Sequence, residues 1–407
     1  MDDRVTVDTS FRKTTKRVLT RRGVLWLGQT CNIRCHFCYF LDRIANKDHP
    51  EHAFMPFDKA KAICDTLRFT YGNNAIDIQG GEPTLYKPIY DLVSHCRAIG
   101  LAPTLISNAI LLADMERCKK LQEAGVQDLL LSIQGIGDTY DRIVGVPGGS
   151  VKQMRALDNL MQIGLPFRFN VVLSKPVLTQ LEKVAELAVT AGARVVNFLT
   201  FNPFEDQAAG GKRSGHNVPG YTDVAGPLNR ALDILEAAGI EANVRYFPLC
   251  MVEPRHRKSM YNFQQLSYDL HEWDYASWSW TGQQAQRMAG GELTARPKLR
   301  DMTYPRAALF YEVFPELDAT PHEERDPEMY RDNARLRAGT DCKYRYAAAC
   351  DGCSAKAICD GFHGDYASIF GLGEARPIVE PAPVDDPTHY IRHQEKVVEA
   401  QDLDWAL

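Results

Sequence analysis

Residues 75–108, AIDIQGGEPTLYKPIYDLVSHCRAIGLAPTLISN, contain one complete folding unit. An apolar run, AIDIQG (75–80), ends in a Gly-rich turn. IYDLVSHCRAIG (89–100) then repeats apolar residues at helical spacing and stops at Gly, and APTLISN (102–108) is a second short apolar run. Runs of this length, rich in Val, Ile and Leu, suit strands buried on both faces. A glycine is a common helix stop. The unit therefore reads as strand, helix, strand, which implies parallel strands joined by a right-handed crossover.

The same alternation extends from residue 23 to about 247. Further strand runs are GVLWLGQ (23–29), DLLLSIQG (128–135), PFRFNVVLS (166–174), RVVNFLTFN (194–202) and EANVRYF (241–247). Amphipathic helical stretches separate them, among them FDKAKAICDTLRFTY (57–71), SVKQMRALDNLMQIG (150–164) and LEKVAELAVTAG (181–192). Polar residues Gln79, Asn108, Gln134, Asn170 and Asn202 gather toward the C-terminal ends of the runs, as at a barrel mouth. The expected fold is α/β: a partial (β/α)6 TIM-type barrel with a smaller C-terminal domain. An open doubly wound sheet is the alternative. The expected divisions are a basic N-terminal segment (1–22), the barrel (23–247), an appended domain (248–370) and a tail (371–407), whose stretch GLGEARPIVEPAPVDDP (371–387) is rich in Pro and Gly and reads as a surface loop.

The chain has 407 residues and 45% hydrophobic content, enough for a large core. A net charge of −5 gives no global field toward nucleic acid or a membrane. Arg12, Lys13, Lys16, Arg17, Arg21 and Arg22 form a local basic exception, read as a solvated segment. The opening MDDRVTVDTS is no signal peptide, and no apolar run reaches membrane-spanning length. Eleven cysteines, an odd number, fit a reducing cytoplasm better than a disulfide framework. Cys64, Cys96 and Cys118 fall within helical stretches and read as buried thiols.

Cys31-Asn-Ile-Arg-Cys35-His-Phe-Cys38 directly follows the first strand run. A cubane cluster takes one thiolate per iron corner, so three cysteines hold three irons and leave one open. An open metal position is where a substrate or cofactor binds. Structural zinc usually pairs two CxxC-like knuckles, and no partner knuckle lies nearby. One strand later comes Gly80-Gly81-Glu82-Pro83, where Gly permits close backbone approach and Glu82 offers an acceptor for an ammonium.

The spacing Cys-x3-Cys-x2-Cys with Phe37 before its last cysteine, followed by the GGEP turn, resembles the radical S-adenosylmethionine superfamily over roughly residues 20–205. The resemblance implies a 4Fe-4S cluster on Cys31, Cys35 and Cys38 with S-adenosylmethionine chelated to its open iron. One-electron reduction would split the sulfonium to a 5′-deoxyadenosyl radical that abstracts hydrogen from an unactivated C–H bond. It also implies cofactor contacts from Phe37, Tyr39 and the turn Gly80, Gly81, Glu82 and Pro83. Ser107 and Asn108 match a Thr-Asn-Gly turn in which Ala109 replaces the glycine. Ser132 and Gln134 match the ribose-binding positions, Arg142 the basic residue near the methionine carboxylate, and Asn170 a similar site.

Cys350-Asp-Gly-Cys353-Ser-Ala-Lys-Ala-Ile-Cys359-Asp-Gly-Phe-His363 resembles the end of the SPASM motif, with His363 in place of its final cysteine. Cys250, Cys350, Cys353 and Cys359 would close one auxiliary 4Fe-4S cluster, the arrangement of a twitch domain, with Cys342 left over. Zinc on Cys350, Cys353, Cys359 and His363 is the rival. The aromatic block YNFQQLSYDLHEWDYASWSW (261–280) reads as a lid or domain joint. A small-molecule substrate leads, since residue 31 already carries a cluster cysteine and leaves no room for an N-terminal peptide-binding module. Peptide maturation and nucleic-acid modification are the alternatives, and nucleic acid and membrane are not expected partners. An external one-electron donor such as flavodoxin or ferredoxin is implied.

Overall fold

The computed structural model describes residues 11–14, 22–38, 40–69, 73–200, 214–262, 265, 343–386 and 389–399. Tyr39, Asn202, Cys342 and most of the aromatic block lie outside them. The strands are β1 (Phe11–Thr14), β2 (Arg22–Trp26), β3 (Ala75–Gln79), β4 (Ala102–Ser107), β5 (Asp128–Ser132), β6 (Phe167–Leu173), β7 (Val195–Thr200), β8 (Glu241–Arg245), β9 (Met260–Tyr261) and β10 (Lys396–Glu399). All seven expected strands form. Strands β2 to β9 make one sheet in sequence order, and every neighbouring pair is parallel. The wall thus runs one strand beyond the seven expected, to the two-residue β9.

Helices cover the outer face. Leu25, Ile76, Ile78, Leu105, Leu129, Leu131, Phe169, Val171, Val196, Phe198 and Val244 are fully buried in one continuous core with the helix residues. Successive strand residues point to opposite faces, so Arg22, Asp77, Thr104, Asp128 and Arg168 face inward. Arg22 of β2 and Arg168 of β6 both reach Thr104 of β4, at 3.1 and 3.4 Å. A flat sheet would hold those strands far apart, so the sheet curls into a partial barrel.

Those inward residues close the barrel floor. Arg22 donates to Asp77 at 2.9 Å, Arg168 grips Asp128 at 2.6 and 3.1 Å, and Thr104 donates to Asp128. Two guanidinium groups and two carboxylates balance. Burial alone would raise the Asp128 carboxyl, but Arg168 and Arg22 outweigh it and hold it below the usual carboxylate range.

The floor has a second half supplied by the tail. β1 pairs antiparallel with β10, so part of the basic segment read as solvated is a strand, and the loop-like tail ends in its partner. Lys396, buried, donates to Glu241 and to Asn243 Oδ1 at 2.7 Å. Cys64, Cys96 and Cys118 are buried free thiols, as expected.

Asp128→Ala leaves two buried guanidinium groups with one counter-charge and should cost about 3–5 kcal/mol in chemical denaturation. The sign of the pH effect follows from the depressed carboxyl: its stabilisation is complete above the unfolded-state value, about 4, and is lost as pH falls through the folded-state value. Asp128→Asn should flatten that acid limb.

Candidate functional site

The site begins where β2 ends. Beyond Trp26 the chain runs on beside the exit of β3: Leu27 N donates to Gln79 O (2.8 Å), Gly81 N to Gly28 O (2.7 Å) and Glu82 N to Thr30 O (2.9 Å). This zipper seats Cys31 against the GGEP turn. A Cβ at Gly81 would lie 2.1 Å from Thr30 O, and one at Gly80 would lie 2.3 Å from Gly28 O. On its other side the cysteine loop bonds the helix Asp138–Val144, with Arg34 N donating to Val144 O at 2.7 Å and His36 N to Ile143 O at 3.2 Å. Cys31, Cys35 and Phe37 pack against a small core of Ile33, Ile110, Tyr140, Ile143 and Val144.

Cys31, Cys35 and Cys38 are all half-buried. Burial, then the Glu82 carboxylate and, more weakly, Cys38, push the Cys31 thiol up to about 12. Burial, Cys38 and Cys31 raise Cys35 as well. Three thiols that repel one another as thiolates ask for a bound cation. Among the described residues no group of three or more His, Cys, Asp or Glu side chains is gathered to cage a single metal ion. A cubane does not need that cage, because each thiolate takes a separate iron corner. The donor set fits such a cluster.

Glu82 meets a different geometry from the one expected of an ammonium acceptor. It is 0% exposed. Its Oε1 accepts from Thr84 N (3.0 Å), Thr84 Oγ1 (2.6 Å) and Ser107 Oγ (2.8 Å), and its Oε2 from Asn108 N (2.8 Å). Burial raises its carboxyl, and these donors offset part of the rise. The side chain ties the exit of β3 to that of β4. Asn108 Nδ2 then donates to Asn32 Oδ1 at 2.8 Å inside the cysteine loop. Ala109 has φ +65°, so the alanine adopts the left-handed turn that a glycine would take.

Ser132 and Asn170 sit in register on β5 and β6, half-buried on the inner face. Gln134 is turned to the fold instead: its Nε2 donates to Asn170 O (3.2 Å) and its Oε1 accepts from Val172 N (3.0 Å). Arg142 is exposed and donates to Thr139 Oγ1 at 3.4 Å along its own helix. Pro83 is buried at the start of the turn after Glu82. Sequence reasoning missed Gln153, fully buried, whose Nε2 donates to Asn108 O and Ser132 O, both at 3.0 Å. A glutamine within the buried stripe of the helix Gly149–Ile163 was the signal for it.

The second cysteine set assembles beside the barrel. Cys350 and Cys353 both act on the Cys250 thiol, and Cys250 acts on Cys359. Burial pushes Cys359 up to about 12, and main-chain groups of Leu249 and Gly361 oppose it. Ile378 N donates to Cys353 Sγ at 3.3 Å and Gly361 N to Cys359 Sγ at 3.4 Å. His363 is buried and caps the helix Gly364–Phe370, its Nδ1 accepting from Asp365 N at 3.2 Å. The segment docks through Tyr366, which stacks on Tyr221 at 3.6 Å and accepts from Tyr221 N at 2.6 Å.

Residues 27–188 match the family model described as the radical SAM superfamily. An AdoMet-dependent heme synthase from Oleidesulfovibrio alaskensis is 29% identical over 174 residues, 42% of this chain and 43% of that protein. A PqqA peptide cyclase from Rhodopseudomonas palustris is 31% identical over 173 residues, 42% of this chain and 44% of its own. The matched stretch thus spans less than half the length of these curated relatives. Streptococcus suis SuiB bound to S-adenosylmethionine superposes with a TM-score of 0.46 at 18% identity, covering 59% of this chain and 52% of that one. With the Cys-x3-Cys-x2-Cys loop seated on a GGEP turn at the mouth of a parallel partial barrel, residues 27–188 of this chain match the radical SAM superfamily of enzymes in sequence and in layout.

Proposed function

We propose that this chain reductively cleaves S-adenosylmethionine and directs the resulting radical at a substrate held in the barrel. The zipper that seats Cys31 against the GGEP turn, above a half-open barrel interior, carries this reading. Cys31, Cys35 and Cys38 would hold a 4Fe-4S cluster. When reduced with S-adenosylmethionine on its open iron, such a cluster supplies a 5′-deoxyadenosyl radical that abstracts hydrogen. Because Glu82 is enclosed, the acceptors this turn offers an ammonium are the main-chain carbonyls of Gly80 and Gly81. Ser132 and Asn170 face the interior where the nucleoside would lie, and Arg142 stands beside the cysteine loop. Gln134 has its amide engaged by β6 and is left out of the cofactor set.

A small-molecule substrate remains the leading reading, undergoing oxidation, epimerisation or carbon-skeleton change. The polar inner wall of Ser132, Arg168, Asn170 and Asn197 supports it. Peptide modification is the second reading, favoured by the likeness to the PqqA peptide cyclase. The electron would come from an external donor such as flavodoxin or ferredoxin. No helix among the described residues is long and apolar enough to cross a membrane, and a reducing cytoplasm is the proposed compartment. Cys250, Cys350, Cys353 and Cys359 would hold a second, fully ligated 4Fe-4S cluster; the nearness of Cys250 to the other three thiols and the helix-capping role of His363 Nδ1 support this over zinc on His363.

Reduced, reconstituted protein should form 5′-deoxyadenosine from S-adenosylmethionine by chromatography, and Cys35→Ala should abolish it. No 5′-deoxyadenosine from fully loaded protein with a strong reductant contradicts the reading.

Cys250→Ala should remove or distort the second cluster in iron counting. His363→Ala should keep its iron and lose about 1 kcal/mol of stability with the helix cap. The reverse pattern would make zinc the occupant.

Glu82→Gln places an amide where four donors converge, so a donor must oppose a donor. Thermal unfolding should show a loss of about 1–3 kcal/mol together with weaker S-adenosylmethionine binding. Weaker binding at unchanged stability would return the ammonium contact to the side chain.

A further inference from the structure

We infer that the tail segment from Glu374 to Val384 is a strap built into the second cysteine site, closing it from outside and giving main-chain N–H groups to its sulfurs. This rests on the reading that Cys250, Cys350, Cys353 and Cys359 hold a 4Fe-4S cluster.

By composition the stretch is a surface loop, and from Arg376 to Val384 only Ile378 and Val384 are buried. It is nevertheless tied down along its length. At its start Glu374 accepts from Thr222 N at 2.9 Å and from the Tyr366 hydroxyl. Further on it exchanges four bonds with Ser354, the neighbour of Cys353. Ser354 N donates to Ile378 O (2.8 Å), Glu380 N to Ser354 Oγ (2.9 Å), Ser354 Oγ to Glu380 O (3.3 Å) and Val384 N to Ser354 O (2.8 Å). Arg257 pairs with Glu380 at 3.4 Å and lays its guanidinium over the Tyr390 ring. Pro377, Pro381 and Pro383 fix the backbone and have no N–H to leave unpaired. A single layer of chain can therefore keep one shape here.

Two of the remaining N–H groups go to the cysteines. Ile378 N donates to Cys353 Sγ at 3.3 Å. A main-chain bond from Arg376, on the other side of Pro377, favours the Cys250 thiolate. Cys250 lies in the turn Leu249–Met251 at the barrel exit, and Cys353 follows the turn Ala348–Gly352. One strap thus serves sulfurs from two separate parts of the chain, whereas Cys359 takes its donor, Gly361 N, from its own loop. N–H groups on ligand sulfurs stabilise the negative charge of thiolates and of a reduced cluster. Ile378 and Val384 add apolar cover, which limits the access of solvent to a metal.

The test uses the full chain, reconstituted with iron and sulfide, and two substitutions at one position. Ile378→Val keeps the main-chain N–H, and Ile378→Pro removes it. Second-site iron is the iron that Cys250→Ala removes. A chelator should strip it at least about tenfold faster from Ile378→Pro than from Ile378→Val. A second readout reports the bond itself. The one nitrogen of isoleucine is in the main chain, so protein grown with nitrogen-labelled isoleucine should show coupling of that nitrogen to the reduced second cluster in pulsed electron paramagnetic resonance. Labelled Ile378→Val, which folds alike but carries no label there, should lack it. If Ile378→Pro does not fold, the coupling decides alone. Equal iron release from the two folded variants overturns the proposal, and so does a coupling that is absent or that persists in Ile378→Val. If Cys250→Ala removes no iron, the second-cluster reading fails and takes the strap with it. If it removes iron while the coupling is absent, this proposal alone fails.

Discussion

The main-chain zipper between the exit of β2 and the GGEP turn is the constraint on which the rest depends. Gly81 N on Gly28 O and Glu82 N on Thr30 O bring two backbones closer than any side chain allows. That approach fixes where Cys31 stands relative to the β3 and β4 exits. Glu82 then locks the turn from within, holding Ser107 and Asn108 with the same carboxylate that holds Thr84. A buried carboxylate with four donors is costly to form and costly to disturb. It makes the mouth of the barrel rigid where a cofactor has to be aimed.

The two ends of the barrel divide the work. The floor is charged, buried and internally balanced, and Lys396 brings the C-terminal strand into it. The mouth carries thiols raised by burial and by one another, an unfavourable arrangement until a cation binds. Between them lies a half-buried polar wall of Ser132, Asn170 and Asn197. Stability is thereby concentrated away from the chemistry, as in barrels generally.

The fold was legible because each strand of the wall is a short apolar run between helical stretches, a pattern local in sequence. β9 was not, because two residues, Met260 and Tyr261, carry no period. The β1–β10 pair escaped because it joins segments nearly four hundred residues apart by register alone. At the site, spacing identified the two cysteine sets. It could not tell that His363 turns to cap a helix while Cys250, a hundred residues earlier, arrives among Cys350, Cys353 and Cys359 through the barrel. Glu82 and Gln134 were read as facing a ligand, yet both are turned into the fold. Residue type and strand position do not say which way a polar side chain points when the backbone around it has donors to satisfy.

The most direct test of an open-iron cluster at the mouth is electron paramagnetic resonance of the reduced, reconstituted protein. Cys250, Cys350 and Cys353 would be changed to Ala so that only the mouth cluster contributes. Adding S-adenosylmethionine should shift the signal, because on this account the methionine end of the molecule would bind the iron that no cysteine holds. A spectrum unchanged at saturating S-adenosylmethionine would contradict the account.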